Sequence, residues 1–359
     1  MRRVFVLVAA VGLMMTCSVS AHATTYAITD LGAIGRPRGI NDLGQVVLQA
    51  GSQVYVWQNG VVQDLGTLPG SMQIGGVGSG RRGINNRGQM LGVDASSGSE
   101  RAYLWENGAI QDLGTLPGCD RIIPYGLNDL GQVVGIAMSS VSSIPQYAFL
   151  WEDEVMRDLG TRPGSSWGSR AYDINNLGQI VVYDSLGGYL WQNGVIQEVN
   201  EVPPGFEYGQ PLGINDLGQV VGCAVRAGAI NSQGYIWQNG VAQDLGMLPG
   251  WELIQAWDIN NMGQVLGYAY TSNPAIDPDW DGEEYRFLWQ NGVIQEIGMA
   301  LGTTRPLSVA AINNLGQLVG IDSTGRSVLW TPVPEPSSLL ALLSGLAGIG
   351  GMALRRRRG

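Results

Sequence analysis

Three short motifs recur seven times along the 359-residue chain, and this repetition limits the possible folds more than any other feature. An aliphatic residue followed by Asn-x-x-Gly-Gln begins at Ile40, Ile84, Leu127, Ile174, Ile214, Ile259 and Ile312. An aliphatic residue precedes Trp57, Trp105, Trp151, Trp191, Trp237, Trp289 and Trp330. Asp-Leu-Gly or a variant of it begins at Asp30, Asp64, Asp112, Asp158, Glu198, Asp244 and Glu296. The chain is therefore an array of seven similar units.

Each motif predicts a particular turn. In Asn-x-x-Gly-Gln, the Gly can adopt a left-handed conformation, which joins two antiparallel strands through a type I turn with a bulge. The sequence x-Asn-Gly, which predicts a two-residue type I′ hairpin, follows Trp at Asn59, Asn107, Asn193, Asn239 and Asn291. Leu-Pro-Gly favours a type II turn. Each unit therefore contains four short strands, named a, b, c and d in chain order.

The strands of one unit are apolar on both faces of their sheet. Tyr103 and Trp105 are two residues apart and share a face, whereas Leu104 points to the other face. A single sheet of this kind cannot bury both faces, but sheets arranged radially pack against two neighbours each. Residues 24–332 contain the seven units, or about 44 residues for each, which suits a propeller blade.

The order of the motifs predicts how the ring closes. A strand d ending near Asp30 comes before any strand a, b or c, and the repeats end on strand c at Trp330. The N-terminal strand Tyr26–Leu31 can therefore complete the last blade. The sequence predicts an all-β, seven-bladed β-propeller closed by its N-terminal strand. A β-solenoid is the alternative, although it would not need these complementary half-units.

The N-terminus has the features of a secretory signal. Arg2 and Arg3 precede an apolar run from Val4 to Met15, and Ala21-His22-Ala23 resembles a cleavage site. The apolar run is too short to span a bilayer. We predict a signal peptide over residues 1–23, cleaved after Ala23, and an exported protein.

The C-terminus has three parts within residues 333–359. Pro334, Glu335 and Pro336 precede the uncharged segment 337–354, which is just long enough for a membrane helix. The run that follows consists of Arg355, Arg356, Arg357 and Arg358. By the positive-inside rule this run acts as a membrane stop that remains in the cytoplasm. A plain stop-transfer anchor is one interpretation of this tail.

The order and spacing of these three parts closely resemble the PEP-CTERM sorting signal. The resemblance implies recognition of Pro-Glu-Pro by an exosortase-type membrane protease, and a Gram-negative host that makes exopolysaccharide. It also implies a membrane-anchored precursor, held transiently in the inner membrane, that ends at the cell envelope surface or in the extracellular matrix. A similar tail occurs on some ice-binding proteins, without carrying ice-binding chemistry.

The repeats resemble the HAF family of extracellular repeats. The Phe-Leu-Trp and Asp-Leu-Gly-Thr-Leu-Pro-Gly elements of that family are nearly intact in residues 102–118 and 148–164, and its Asn-x-x-Gly-Gln element in residues 126–135 and 213–222. The His-Ala-Phe of the family is replaced by Arg101-Ala102-Tyr103 and Tyr147-Ala148-Phe149. The resemblance implies a secreted protein and no established activity.

Composition excludes several kinds of chemistry. The chain has no Lys, and its only His, His22, lies in the predicted signal peptide. The mature protein therefore lacks a His base, a Schiff-base Lys and His metal ligands. Residues 24–332 contain 14 Arg against 29 Asp and Glu, a net charge of −15. Such an acidic body is a poor candidate for binding nucleic acid.

Connection lengths distinguish the two faces of the predicted ring. The a–b and c–d turns are short and uniform and lie on one face, here named the turn face. The b–c and d–a loops vary and lie on the opposite face, here named the loop face, where binding is expected. Four aromatic residues in these loops are candidates for stacking on sugar rings, or alternatively for capping the blades: Trp167, Tyr208, Trp251 and Trp280.

Other polar groups have weaker patterns. Asp277, Asp279, Asp281 and Glu283 are spaced like the start of a Ca²⁺ loop, so calcium is one possible cofactor and a solvated acidic loop the alternative. Arg81, Arg82, Arg121 and Arg170 could bind acidic polysaccharide or form local ion pairs. Trp257 in a strand a is expected in the core. The repeated Asp of Asp-Leu-Gly is expected to stabilise turns, and Cys119 and Cys223, in different blades, are not expected to pair.

Two functions remain open. The first is a non-catalytic cell-surface or matrix protein that binds polysaccharide or another protein through its loop face. The second is an extracellular glycan hydrolase or lyase, which would need an asymmetric pair of acids with Tyr or Arg at the channel mouth. The repeats show no such pair, and we expect the first function.

Overall fold

The computed structural model describes residues 25–70, 72–75, 83–96, 98–141, 146–199, 201–226, 232–271, 285–297 and 308–333. Its strands form seven antiparallel four-stranded sheets. Within these ranges no helix has the length and apolar character needed to cross a bilayer. The predicted signal peptide and the predicted membrane segment 337–354 lie outside them.

The N-terminal strand and the first three blades contain the following elements. The strand β1 spans Tyr26–Asp30. Blade 1 contains β2 (Arg36–Ile40), β3 (Val46–Ala50), β4 (Gln53–Gln58) and β5 (Val61–Thr67). Blade 2 contains β6 (Gln73–Ile74), β7 (Met90–Asp94), β8 (Arg101–Glu106) and β9 (Ala109–Asp112). Blade 3 contains β10 (Arg121–Leu127), β11 (Val133–Met138), β12 (Tyr147–Glu152) and β13 (Val155–Asp158).

The remaining four blades follow the same order. Blade 4 contains β14 (Ser169–Ile174), β15 (Ile180–Asp184), β16 (Gly187–Gln192) and β17 (Val195–Glu198). Blade 5 contains β18 (Tyr208–Ile214), β19 (Val220–Val225), β20 (Ser232–Gln238) and β21 (Val241–Asp244). Blade 6 contains β22 (Leu253–Ile259), β23 (Val265–Tyr270), β24 (Tyr285–Gln290) and β25 (Val293–Glu296). Blade 7 contains β26 (Ser308–Ile312), β27 (Leu318–Ile321), β28 (Ser327–Pro332) and β1.

The seven-bladed ring closes as the sequence predicts. Strand β1 pairs antiparallel with β28, with Tyr26 opposite Pro332 and Asp30 opposite Val328. The first strand of the chain is therefore the outermost strand of the last blade. Leu31, which follows β1, is buried in one cluster with residues of blades 7 and 1, including Leu329 and Trp57. The two ends of the body are thus held together by backbone pairing and by apolar packing.

The repeated aromatic residues of strand c supply the core between blades. Phe149, Tyr189, Tyr235 and Phe287 are fully buried, and so is Trp330. Burial of one such side chain stabilises the fold by about 1.5–3 kcal/mol. Each cluster joins strands of neighbouring sheets, so a blade gains most of this burial only inside the ring.

The turns confirm the predicted local chemistry. Asn59 and Gly60 have φ angles of 51° and 83°, as a type I′ turn requires. Cys119 N–H donates to Leu116 C=O at 3.0 Å across Pro117 and Gly118, which is the predicted turn at Leu-Pro-Gly. In blade 3, Asp153 and Glu154 adopt the same turn with φ angles of 49° and 63°, although neither is Gly.

We expect Glu154→Gly to stabilise the protein by about 1 kcal/mol, because a left-handed conformation is costly for a residue with a Cβ and free for Gly. Urea unfolding of the two proteins measures the difference. Gly108→Ala, at the equivalent position of blade 2, is the matched control and should destabilise. A lower stability for Glu154→Gly would contradict the strain at this turn.

Candidate functional site

The first Asn of each Asn-x-x-Gly-Gln turn forms a ring of hydrogen bonds around the propeller axis. Its side-chain Nδ2 donates to the backbone carbonyl of the equivalent Asn in the next blade, for example from Asn41 to Asn85 at 3.0 Å. The same bond recurs in every blade, and the last one joins Asn313 of blade 7 to Asn41 of blade 1 at 3.0 Å. These side chains are buried, and every blade is tied to the next.

The second residue of each turn forms another ring. Its members are Asp42, Asn86, Asp129, Asn176, Asp216, Asn261 and Asn314. Each backbone N–H donates to Oδ1 of the member in the next blade at 2.7–2.8 Å, and Asn314 donates to Asp42 across the closure. The amide of Asn176 also donates to Oδ2 of Asp129 at 3.0 Å and of Asp216 at 3.1 Å.

Carboxylates and amides alternate around this second ring. Each Asp stands between two Asn side chains whose amides donate to its Oδ2. A ring of seven cannot alternate throughout, and the one pair of equal neighbours is Asn261 and Asn314. Two adjacent carboxylates would repel each other, and neither could donate a hydrogen bond to the other. The one unavoidable pair of equal neighbours is therefore the pair of neutral Asn residues.

A small polar cavity of about 40 Å³ lies on the axis, bounded by the two rings and by Tyr125, Asp173, Trp257 and Asp258. It has room for a few water molecules. Pockets for drug-sized ligands measure about 300–1,000 Å³. The Asp173 carboxylate accepts two hydrogen bonds at 2.9 Å, one from the backbone N–H of Ile174 and one from that of Ile214 in the neighbouring blade. Asp173 and Asp258 occur in only two of the blades, so they form the kind of asymmetric acid pair that a glycan hydrolase would need, and sequence analysis missed them. Both carboxylates accept hydrogen bonds from backbone N–H groups.

Connection lengths differ between the two faces as predicted. The a–b turn has five residues in six blades, and each described c–d turn has two. The b–c connections instead range from two residues, as at 51–52, to 14 residues at 271–284. The loop face is therefore the variable one, while the rings hold the turn face constant.

An aromatic patch lies on the loop face at blades 4 and 5, formed by Trp167, Arg170, Tyr183 and Tyr208. The rings of Trp167 and Tyr183 are 5.5 Å apart, and the Arg170 guanidinium lies 5.3 Å from the Trp167 ring centre. Arg170 Nε donates to Gln146 Oε1 at 2.5 Å, which fixes its position. Tyr208 begins β18 and is 42% exposed. Two predicted site residues, Trp167 and Tyr208, thus belong to one patch.

The Tyr183 phenol of this patch remains protonated at neutral pH. The pKa of Tyr183 is raised above 10, first by burial and then by the nearby hydroxyls of Tyr172 and Tyr208. A neutral phenol can both donate and accept hydrogen bonds. The patch therefore offers ring faces together with the neutral hydroxyl group of Tyr183.

A second feature of the loop face, which we name the arginine groove, was not recognised from the sequence. Arg36, Arg38, Gln73 and Ser327 are among the residues that line this groove of about 480 Å³ at the junction of blades 7, 1 and 2. Arg38 Nη2 donates to Gln73 Oε1 at 3.3 Å, and Arg38 Nε is buried without a partner among the described residues. Burial and the charge of Arg36 lower the pKa of Arg38. The described residues that line this groove include no carboxylate.

Other predicted site residues have different environments. Trp251 is only 9% exposed and packs with Leu248 and Ile254, so it caps the core, which was the alternative interpretation of the loop aromatics. Trp257 is buried as predicted. Arg121 forms an ion pair with Glu100 at 2.5 Å, which was the second of the two predictions for this residue. Cys119 and Cys223 are buried free thiols.

Several predicted residues fall outside the described part of the chain. These are Trp280, the candidate calcium ligands Asp277, Asp279, Asp281 and Glu283, the arginines Arg81 and Arg82, and the processing residues at both termini. Among the residues that the structure does describe, no group of three or more His, Cys, Asp or Glu is placed to hold a metal ion.

The repeated Asp of Asp-Leu-Gly stabilises a turn, as predicted. Its Oδ1 accepts the N–H of the Gly two residues later, at 2.8 Å for Asp64 and 2.7 Å for Asp244. The same bond occurs at Asp112 and Asp158. These carboxylates are therefore part of the repeating architecture.

Comparison with known proteins identifies the tail. Residues 332–358 match the PEP-CTERM protein-sorting motif, which indicates an exported, membrane-anchored precursor sorted to the cell surface. Such signals are recognised by exosortase-type processing enzymes. No curated protein matches the chain. The comparisons do not support the expected link of the tail with ice-binding proteins, and the resemblance to HAF repeats stays a prediction.

Solved structures share the propeller fold. The extracellular domain of the putative hybrid two-component system BT4673 from B. thetaiotaomicron has 11% identity and a TM-score of 0.51, over 87% of this chain and 40% of that one. The β-propeller domain of the Trilobed protease from Pyrococcus furiosus has 11% identity and a TM-score of 0.49, over 86% and 95%. TolB from Acinetobacter baumannii has 10% identity and a TM-score of 0.41, over 86% and 63%. This chain thus spans less than two thirds of TolB, and the likeness concerns the fold alone.

We expect Asn176→Asp to destabilise the protein by about 3–5 kcal/mol at neutral pH, because it removes two amide donors and adds a charge between Asp129 and Asp216. Asn314→Asp is the matched control, since it has one carboxylate neighbour, and should cost about half as much. The pKa of the introduced carboxyl is raised by folding, so the charge-related part of the loss should be absent below pH about 4, grow as the pH rises from there, and be complete above the raised pKa of the folded state. Urea unfolding at several pH values measures both effects. Equal losses of stability for Asn176→Asp and Asn314→Asp would contradict the role of the alternating Asp and Asn residues.

Proposed function

We propose that this exported propeller is a non-catalytic cell-surface or exopolysaccharide-matrix protein that binds glycan through its loop face. The observation that carries the proposal is the aromatic patch, where the half-buried rings of Trp167 and Tyr183 lie beside the exposed Tyr208. Aromatic faces pack against the C–H groups of sugar rings, and neighbouring hydroxyls bind sugar hydroxyls. Matrix proteins are the alternative class of ligand for this face.

The arginine groove supports a preference for acidic glycans. The body carries a net charge of −15, so it repels polyanions over most of its surface. Arg36 and Arg38 supply two guanidinium groups without a described carboxylate partner, and guanidinium groups match the geometry of carboxylates. A polyanion would therefore bind at this groove in preference to other parts of the surface.

The termini complete the proposal. The signal peptide 1–23 directs export, and the tail 333–359 anchors the precursor through the segment 337–354 until an exosortase-type enzyme acts at Pro334, Glu335 and Pro336. For the loop containing Asp277–Glu284, a calcium site and a solvated acidic loop remain the two alternatives. The HAF-type repeats account for the secreted propeller body at residues 24–332.

A glycan hydrolase or lyase is the second candidate. Its best support is the presence of Asp173, Asp258 and Tyr125 around the axial cavity. The cavity, however, has a volume of only about 40 Å³, and the Asp173 carboxylate is occupied by backbone amides. These two observations favour binding over catalysis.

We expect Trp167→Ala to weaken binding of an acidic oligosaccharide, such as oligogalacturonate, by about tenfold, because the stacking surface and its contact with Arg170 are lost. Calorimetric titration measures the affinity. Val61→Ala, at an exposed apolar residue of an outer strand, is the matched control and should bind like the wild type. Thermal unfolding verifies that both variants fold.

Two results would contradict the proposal. One is that neither acidic nor neutral oligosaccharides nor matrix polysaccharide from a producing host bind the wild-type protein. The other is that Trp167→Ala binds with unchanged affinity. Release of shortened products from the oligosaccharide would support the enzymatic candidate instead.

A further inference from the structure

Six large apolar side chains surround the polar rings on the turn face. They occupy the third position of the Asn-x-x-Gly-Gln turns, directly after the members of the second ring, and are 46–60% exposed. We name this set the apolar crown: Leu43, Leu130, Leu177, Leu217, Met262 and Leu315. In blade 2 the same position is occupied by Arg87.

The turn itself does not require an apolar residue at this position. Arg87 N–H donates to Asn85 Oδ1 at 3.0 Å, just as Leu43 N–H donates to Asn41 Oδ1 at 3.1 Å. Turn positions of this kind commonly hold polar residues. Six exposed apolar residues on one face therefore call for a partner outside the propeller, because large exposed apolar patches mark interaction surfaces.

Apolar residues also continue toward the rim of the same face. The outer strands begin directly after the c–d turns, and their first residues include Val61, Val155, Val195 and Val241, which are 50–69% exposed. Charged side chains are few at the crown positions, where Arg87 is the single one. The crown positions are thus suited to apolar contact more than to electrostatic attraction.

The body of the chain ends at the turn face. Strand β28 runs toward this face, because Trp330 pairs with Leu318 at the start of β27. Its last residue, Pro332, lies beside Gly316 of the blade 7 turn, and Val333 N–H donates to Thr25 C=O at 2.8 Å. The sorting motif 332–358 therefore leaves the propeller next to the apolar crown.

The distance from this exit to the membrane is short. The uncharged segment 337–354 begins four residues after Val333. Four residues of extended chain span at most about 14 Å. While the segment is held in a bilayer, the exit point on the turn face cannot lie farther than this from the lipid surface.

We propose that the apolar crown contacts the bilayer in which the tail of the precursor is anchored. The propeller then stands on the membrane with its turn face down and its loop face directed away from it. Contact is apolar, since the chain has no Lys and the crown positions carry one Arg, so it persists at high salt. The proposal does not depend on glycan binding.

The test uses the full chain in phosphatidylcholine vesicles, with Cys17→Ser in every protein so that the third cysteine of the sequence cannot take the label. Leu177→Cys is labelled with a polarity-sensitive fluorophore, and Val141→Cys, 72% exposed on a b–c loop of the loop face, is the matched control. Cys119 and Cys223 are buried and should not react in the folded protein. We expect a blue shift for the label at position 177 and several-fold stronger quenching by lipid-borne nitroxides than at position 141, unchanged by high salt.

A second variant tests the crown as a unit. The fluorophore is attached at Leu315→Cys, and Leu130, Leu177 and Leu217 are replaced together by Gln. We expect quenching of this fluorophore by lipid-borne nitroxides to fall several-fold while the tail remains inserted. Equal quenching at positions 177 and 141 would overturn the proposal. So would quenching that depends on protein density in the vesicle, because the crown would then contact a second copy of the chain.

Discussion

The hydrogen bonds between successive Asn-x-x-Gly-Gln turns are the interaction on which the rest of the structure depends. Each blade donates two hydrogen bonds to the next, one from the side-chain amide of its first Asn to the backbone carbonyl of the next Asn, and one from the backbone N–H of its second turn residue to the side chain of the next. The last blade makes the same two bonds to the first, through Asn313 and Asn314. Since a single sheet cannot bury its apolar faces, this circle converts seven marginal units into one cooperative body.

The same interaction explains why the two faces differ. A ring of equivalent bonds needs equivalent turns, so the Asn, Gly and Gln of the Asn-x-x-Gly-Gln turns recur in all seven blades. The loop face has no such constraint, and there the chain places the aromatic patch and the arginine groove. In the proposed orientation, with the tail leaving from the turn face, the more uniform surface is directed at the membrane and the variable surface away from it.

Much of the fold could be predicted from the sequence because its signals are local. Turn chemistry and period specified four strands per unit, and the position of β1 specified the closure. The alternation of Asp and Asn was visible in the sequence, but its meaning required knowing which turns are neighbours. The aromatic residues of the loops could not be told apart from the sequence either. Trp167 and Trp251 both lie in d–a loops, but Trp167 is half-buried and Trp251 is buried. In blade 4, Arg162 bonds to the buried Asp184 at 2.5 Å, a pairing between distant positions that no local pattern indicates.

Native-state hydrogen exchange of the seven amides of the second ring tests the circular closure most directly. The account predicts that the N–H of Asn314, which donates to Asp42 across the closure, exchanges only through global unfolding, with the same free energy as the N–H of Asn176 on the far side of the ring. Faster exchange at Asn314 than at Asn176, through local opening between blades 7 and 1, would contradict it.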